Sequence, residues 1–180
     1  MLKIVTGMLF LLYPFLIYLG LKEFQPRTLA VMLLLVSVLR FTAWKSDESM
    51  PSYWIVAVVL VVILTFVTNT KFGVYLYPVL INLALFFFFF LSLFHPPTVI
   101  EKIARRHRPE LPPHAVVYTR KVTWAWCLFF IFNGGMSVLS LLVSDQWWLL
   151  YNGLISYCLI GAFWGGEYMI RVMVMRQYDT

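Results

Sequence analysis

Charge is what this chain has least of. Lys, Arg, Asp and Glu together make 12% of its 180 residues, against roughly 25% in an ordinary soluble domain. Hydrophobic residues fill 62%, more than a compact water-soluble domain of this length can hide from solvent. That balance excludes a soluble globular protein and leaves a lipid bilayer as the matching solvent. Reactive side chains are equally few: eight acids, three histidines and two cysteines would have to supply every metal ligand, nucleophile and proton carrier. Cys127 and Cys158 lie in apolar runs without Cys or His neighbours at metal-ligand spacing, so structural zinc and a disulfide framework are not expected and packing is their role. H-E-x-x-H, G-x-x-x-x-G-K-[ST] and G-x-S-x-G are all absent, and no histidine precedes an acid at H-x4-D spacing. No catalytic residue, metal or cofactor is expected.

What is present is a series of long apolar runs. Ile4 to Gly20 carries no charge, and no A-x-A-like cleavage site follows Lys3 and this run, so it reads as a retained first span, short enough to be re-entrant instead. Thr28 to Trp44 is the second, with Arg40 one turn from its end where its guanidinium can snorkel to the headgroups. Pro51 opens the next helix, and Tyr53 to Thr68 is the third span. Phe72 to Phe94 is the fourth and includes five consecutive phenylalanines, Phe86 to Phe90, suited to lipid-facing or bundle packing. Val122 to Val143 is the fifth. The sixth covers 147–170, and only Ser144-Asp145-Gln146 separates it from the fifth, which makes the two an antiparallel hairpin. Outer-membrane strands would need about ten-residue segments of alternating polarity, whereas these runs are continuously apolar. The expected fold is all-α: one integral membrane domain over 1–180, a transmembrane bundle of six spans, or five with a re-entrant first segment. Trp44, Tyr53, Trp54, Trp124, Trp126, Trp147 and Trp148 fall near span ends, where amphipathic rings prefer the interface.

With the N-terminus inside, Lys3, Arg40, Lys45, Lys102, Arg105, Arg106, Arg108, Arg120, Lys121, Arg171 and Arg176 are cytoplasmic, and only Lys22, Arg27 and Lys71 lie outside. The positive-inside rule therefore places both termini in the cytoplasm of a plasma or bacterial inner membrane.

His95 to Lys121 is the one sizeable loop. It holds Lys102, Arg105, Arg106, Arg108, Arg120 and Lys121 against Glu101 and Glu110. Pro96-Pro97 stops the preceding helix, Thr98-x-x-Glu101 is a capping box, and Ile100, Ile103, Ala104 and His107 recur at helical spacing with Lys102, Arg105 and Arg106 opposite. The pattern predicts a short amphipathic helix lying flat on the cytoplasmic surface, its apolar stripe in the acyl boundary. The six cations are candidate contacts for anionic lipid or a protein partner, with plain topology-setting as the simpler alternative. Nucleic acid is not an expected partner, because the basic residues sit against the bilayer and no folded module presents them.

Other polar residues in apolar runs are candidates too. Glu167 follows Gly165-Gly166 near hydrocarbon and needs a partner such as Arg171 at i+4. It is either a functional carboxylate or half of a helix-end ion pair. Asn82, Asn133 and Asn152 lie in three different spans, where amides hydrogen-bond between helices or line a substrate path. Gly161-x-x-x-Gly165 permits close helix approach within the bundle or across a homo-oligomer. Tyr13-Pro-Phe-Leu-Ile-Tyr-Leu19 and Tyr77-Pro-Val-Leu-Ile-Asn-Leu83 agree at five of seven positions, a hint of the inverted repeats from which transporters are often built. Lys102-Ile-Ala-Arg-Arg-His-Arg108-Pro109 is one residue short of the K-x6-R-P element of lipid phosphatases and lacks its companion motifs.

The run HPPTVIEKIARRHRPELPPHAVVYTRKVTWAWCLFFIFNGG, followed by WWLLYNGLISY and GGEY, resembles small bacterial inner-membrane proteins encoded beside aryl-polyene and fatty-acid-synthase-like lipid operons. The order of spans and the basic loop with its Leu111-Pro-Pro113 are more distantly similar to the intracellular septation protein A family, also called inner-membrane-spanning YciB proteins. The resemblance implies a process and a compartment, envelope or lipid biogenesis at the inner membrane with envelope-biosynthesis proteins as partners, and no catalytic residues. The expectation is a non-enzymatic membrane protein. A lipid transporter using the three asparagines and a membrane-embedded lipid-modifying enzyme using Glu167 and a loop histidine are the alternatives.

Overall fold

A computed structural model describes residues 70–178 continuously, together with 19–20, 24–28, 31–32, 34–35, 59–60, 62–63 and 65–67. Most of the expected spans 4–20, 28–44 and 53–68, and the Tyr13 copy of the heptapeptide, lie outside the described residues. Their described positions are all helical, and no strand occurs among the described residues.

From Lys71 onward the order is α1 (Lys71–Tyr75), α2 (Tyr77–Ser92), α3 (Val99–His107), α4 (Pro113–Val143), α5 (Asp145–Leu150), a π turn (Tyr151–Ile155) and α6 (Ser156–Tyr178). The expected fourth span is broken at Leu76, because Pro78 has no N–H for the helical ladder and is tolerated only in the first turn of a helix. Gly73 in α1 is required by a close approach. A Cβ there would stand 2.5 Å from Thr65 Oγ1 and 2.7 Å from the Thr65 nitrogen. Gly73→Ala should therefore destabilise the fold by about 1–3 kcal/mol, read as a lower unfolding midpoint in detergent, while Gly135→Ala, with open space around it among the described residues, should leave the midpoint unchanged.

α4 starts nine residues before the apolar run that predicts it. Pro112 is its N-cap and Pro113 occupies the first turn, where a missing N–H removes no helical bond. Its 31 residues extend about 46 Å at 1.5 Å per residue, beyond the ~30 Å of a hydrocarbon core. Arg120 and Lys121 thus ride on the first turns of this helix. Ser144 ends α4 and caps α5, its hydroxyl accepting from the Trp147 N–H at 3.2 Å. This single extended residue makes the sharp reversal of the hairpin.

α4 turns its in-span polar residues inward. Its buried face runs through Ala115, Thr119, Val122, Thr123, Cys127, Phe129, Phe130, Asn133, Ser137 and Ser140, with Ser137 0% exposed. Its open face carries Leu128, Ile131, Phe132, Leu139 and Leu142, the last 73% exposed. Polar residues turned inward while large apolar residues face outward is an arrangement a lipid solvent favours. Pro113–Val143 and Asp145–Val174 are both long and apolar enough to cross a membrane, and together with these outward apolar residues they support a membrane location.

α2 makes the most extensive contact with α4. Phe89 meets Phe130 edge-on at 5.1 Å and Phe90 meets Trp124 at 5.9 Å, while Phe87 and Phe88 point outward. Helical rotation therefore divides the phenylalanine run between the two roles open to it. At the opposite end of α2 a second core forms around Trp148, which is 0% exposed, stacks on Tyr75 at 4.3 Å and donates its indole N–H to the Tyr75 carbonyl at 3.1 Å.

Candidate functional site

Polar side chains gather at two levels of the bundle. At the inner level, Asn133 Nδ2 donates to Asn82 Oδ1 at 3.0 Å, and the Tyr151 hydroxyl donates to Asn133 Oδ1 at 2.8 Å. Asn82 Nδ2 is used in turn by the Pro78 carbonyl at 2.8 Å. One turn along, Ser137 Oγ donates to Asn152 Oδ1 at 2.7 Å, and Asn152 Nδ2 donates to the Trp148 carbonyl and to Ser140 Oγ. The π turn aims Asn152 at this pair of serines, since it widens the helix at Tyr151 and Asn152. All three asparagines are buried, and no buried side-chain polar atom among the described residues lacks a hydrogen-bond partner. Gly134 allows the approach: a Cβ there would lie 3.1 Å from that of Asn82. This cluster ties helices together. Its amides are spent on one another, as interhelical amides in membranes commonly are.

The second level is the end of the bundle where α3 lies. Thr98 caps α3 by accepting from the Glu101 N–H, and the Glu101 carboxylate takes two hydrogen bonds from Arg105, at 2.7 and 2.9 Å. Arg105 also donates to the Pro109 carbonyl at 3.0 Å. Of the six basic residues expected to meet a ligand, Arg105 is therefore a brace holding α3 to its own connection. Lys102, Arg106, Arg108, Arg120 and Lys121 are exposed. Ser92 anchors the start of α3, its hydroxyl donating to the Phe89 carbonyl and accepting from the Val99 N–H.

The apolar face of α3 covers a cavity of about 360 Å³ between α2, α4 and α6, within the ~300–1,000 Å³ range of small-molecule sites. Phe89, Ile103, Trp126, Phe130 and Trp164 wall it, and Tyr118, Glu167 and Arg171 supply its polar edge. The Tyr118 hydroxyl lies 3.3 Å from both the carboxylate and the main-chain carbonyl of Glu167. Arg171 Nε stands 3.8 Å from Glu167 Oε1, a charge contact longer than a hydrogen bond, with the Glu167 side chain 13% and that of Arg171 41% exposed. The Arg171 guanidinium also sits over the Tyr168 ring at 5.2 Å. Among the described side chains no histidine lines this cavity; His95 Nδ1 instead faces the Leu91 carbonyl at 3.2 Å. No three His, Cys, Asp or Glu among the described residues come together as a metal site. Cys127 is buried and Cys158 exposed, both free.

Gly161 and Gly165 have no neighbour within 4 Å of an added Cβ among the described residues. Sequence pattern does not single out Tyr118, Ser137, Ser140 or Tyr151, and Trp148, expected as an interface aromatic, is instead fully buried against Tyr75. The serines carried a usable signal, because Asn133, Ser137 and Ser140 are spaced four and three apart in an apolar helix and must share a face. Tyr118 carried none, since its partner is 49 residues away.

Among the described residues, fold and site together define an all-helical architecture with two helices able to cross a membrane and a partly open apolar cavity with a carboxylate and a guanidinium at its edge. No family model matches the chain, nor does any curated protein or solved structure.

Proposed function

We propose that the chain is a multi-pass protein of a bacterial inner membrane, with both termini cytoplasmic, that supports envelope or lipid assembly without itself being an enzyme, and that the basic face around α3 docks on anionic lipid. Six spans, the orientation read from Lys and Arg, and the resemblance to the lipid-operon and septation families belong to this reading. The observation that carries it is α3 itself. Capping and the Glu101–Arg105 brace hold a short basic helix across the end of the bundle, with Lys102, Arg106 and Arg108 free to meet headgroups. Each such cation near an anionic surface contributes about 1 kcal/mol. Pairing of Lys71 with Asp145 at one end, and of Tyr118 with Glu167 at the other, agrees with an alternating path of the chain through the bilayer. Asn82, Asn133 and Asn152, which a transporter would turn toward a substrate path, are engaged with protein partners and do not line the cavity beneath α3.

Envelope lipid composition in a deletion strain is expected to differ from that of its parent. The wild-type gene should restore it and a Lys102→Gln/Arg106→Gln/Arg108→Gln gene, expressed to the same membrane level, should not. An unchanged lipid profile on deletion rejects the assembly role; restoration by the triple variant rejects the docking surface and leaves a protein partner elsewhere as the explanation.

A further inference from the structure

The cavity beneath α3 has a shape and a charge pattern that the docking role does not use. About 360 Å³ equals roughly a dozen volumes of ~30 Å³, the share of a water molecule and close to that of a methylene. A segment of one acyl chain is a hydrocarbon ligand of that order of size. Its walls are Phe89, Ile103, Trp126, Phe130 and Trp164, rings and an aliphatic side chain whose surface is predominantly apolar and suited to contact with a hydrocarbon chain. At the edge, both signs of charge are present within one helical turn. Glu167 uses Oε1 toward Tyr118, and Arg171 approaches that same oxygen only to 3.8 Å. The contact is not a closed bidentate pair. Guanidinium N–H groups and Oε2 therefore remain available to a ligand that brings an acceptor and a donor together. A purely anionic head would be drawn by Arg171 and repelled by Glu167 at nearly the same distance, whereas a zwitterionic head satisfies both.

We infer that this cavity binds one acyl chain of a zwitterionic phospholipid, its phosphate against Arg171 and its ammonium against Glu167, with the second chain remaining in the bilayer. This rests on the reading of the chain as a membrane protein but not on the docking role of the α3 cations, which lie on a different face and select the opposite lipid class.

The test uses the full chain in phosphatidylcholine nanodiscs, doped in separate arms with phosphatidylethanolamine or phosphatidylglycerol carrying the same diazirine-bearing acyl chain. After irradiation, the phosphatidylethanolamine probe should mark peptides containing Phe89, Ile103 and Trp126 about ten-fold more than the phosphatidylglycerol probe, the ratio a charge-assisted contact yields. Both probes should mark the outward face at Leu128 and Leu139 equally. Glu167→Gln should abolish the ten-fold preference. Arg171→Gln should lower cavity labelling by both probes, which share the phosphate, without abolishing the preference. Both variants should leave the outward labelling unchanged, and Ala104→Phe, which fills the cavity, should remove the cavity labelling itself. Lys102→Gln/Arg106→Gln/Arg108→Gln should leave cavity labelling intact, so loss of the docking role and loss of this site are separable. Equal marking by the two head groups in the wild-type chain, or cavity peptides marked no more than the outward face, would overturn the inference without recourse to any variant. A chain that does not enter nanodiscs overturns both this site and the membrane reading.

Discussion

Trp148→Ala is expected to lower stability by about 3–5 kcal/mol, the cost of emptying a fully buried aromatic site, and to bring the unfolding midpoint in detergent down by about 10 °C on the scale of a chain of this size. Three separate losses converge there. Burial of the whole indole is forfeited, the stack on Tyr75 at 4.3 Å disappears, and the Tyr75 carbonyl loses its donor. That carbonyl lies just before the break at Leu76, where the helical ladder is already interrupted by Pro78. Trp148→Phe separates the contributions. It keeps most of the apolar contact and removes the indole N–H, so its cost should be about 1–2 kcal/mol. A midpoint for Trp148→Ala within a degree or two of wild type would show that the Tyr75–Trp148 contact does not hold α1 and α5 together.

The amide cluster at Asn133 makes an opposite kind of prediction, in which one substitution is worse than three. Asn133→Leu strands Asn82 Oδ1 and the Tyr151 hydroxyl in a buried site, and should cost about 1–3 kcal/mol. Asn82→Leu/Asn133→Leu/Tyr151→Phe removes every member of that chain of hydrogen bonds together and should recover much of the loss, since apolar replacement of both partners can be nearly neutral. Interhelical hydrogen bonds within membranes average only about 0.6 kcal/mol by double-mutant cycle, so the pair itself stabilises modestly and the penalty lies in the orphaned partner. Unfolding midpoints of the three single variants and the triple variant decide the matter. Additive losses across the series would mean that the three residues do not form one network.

The two predictions divide the molecule usefully. Trp148 and the amides belong to the architecture, at the level of the bundle remote from α3. Glu167, Arg171 and Tyr118 stand at the other end, beside the basic helix and the cavity. Variants of the first group should change stability and leave lipid labelling of the cavity proportionate to folded protein. Variants of the second group should do the reverse.

Much of the helical framework was legible from residues alone. The hairpin of α4 with α5–α6 follows from two apolar runs joined by three residues, and α3 from Thr98, the following Ile100/Ile103/Ala104 spacing and the prolines on either side. Pro78 was a readable warning of the break at Leu76. The early start of α4 was hidden for a physical reason: hydropathy marks where a helix is apolar, and Pro113 to Lys121 is a helix that is not. The first three expected spans remain a reading of the sequence.

What the sequence determined by itself is the helical class of structure and an apolar excess matched to lipid, because apolar content and run length are properties of each segment taken alone. Only the tertiary structure decided that Asn82 meets Asn133, that Asn152 serves two serines, that Arg105 braces α3, and that Glu167 and Arg171 border a partly open cavity. Each of those outcomes depends on how far one helix is rotated and shifted against another. A rotation of about 100° per residue means that a single-residue change of phase carries a side chain from the core to lipid, and no local pattern in one segment records the phase of its neighbour.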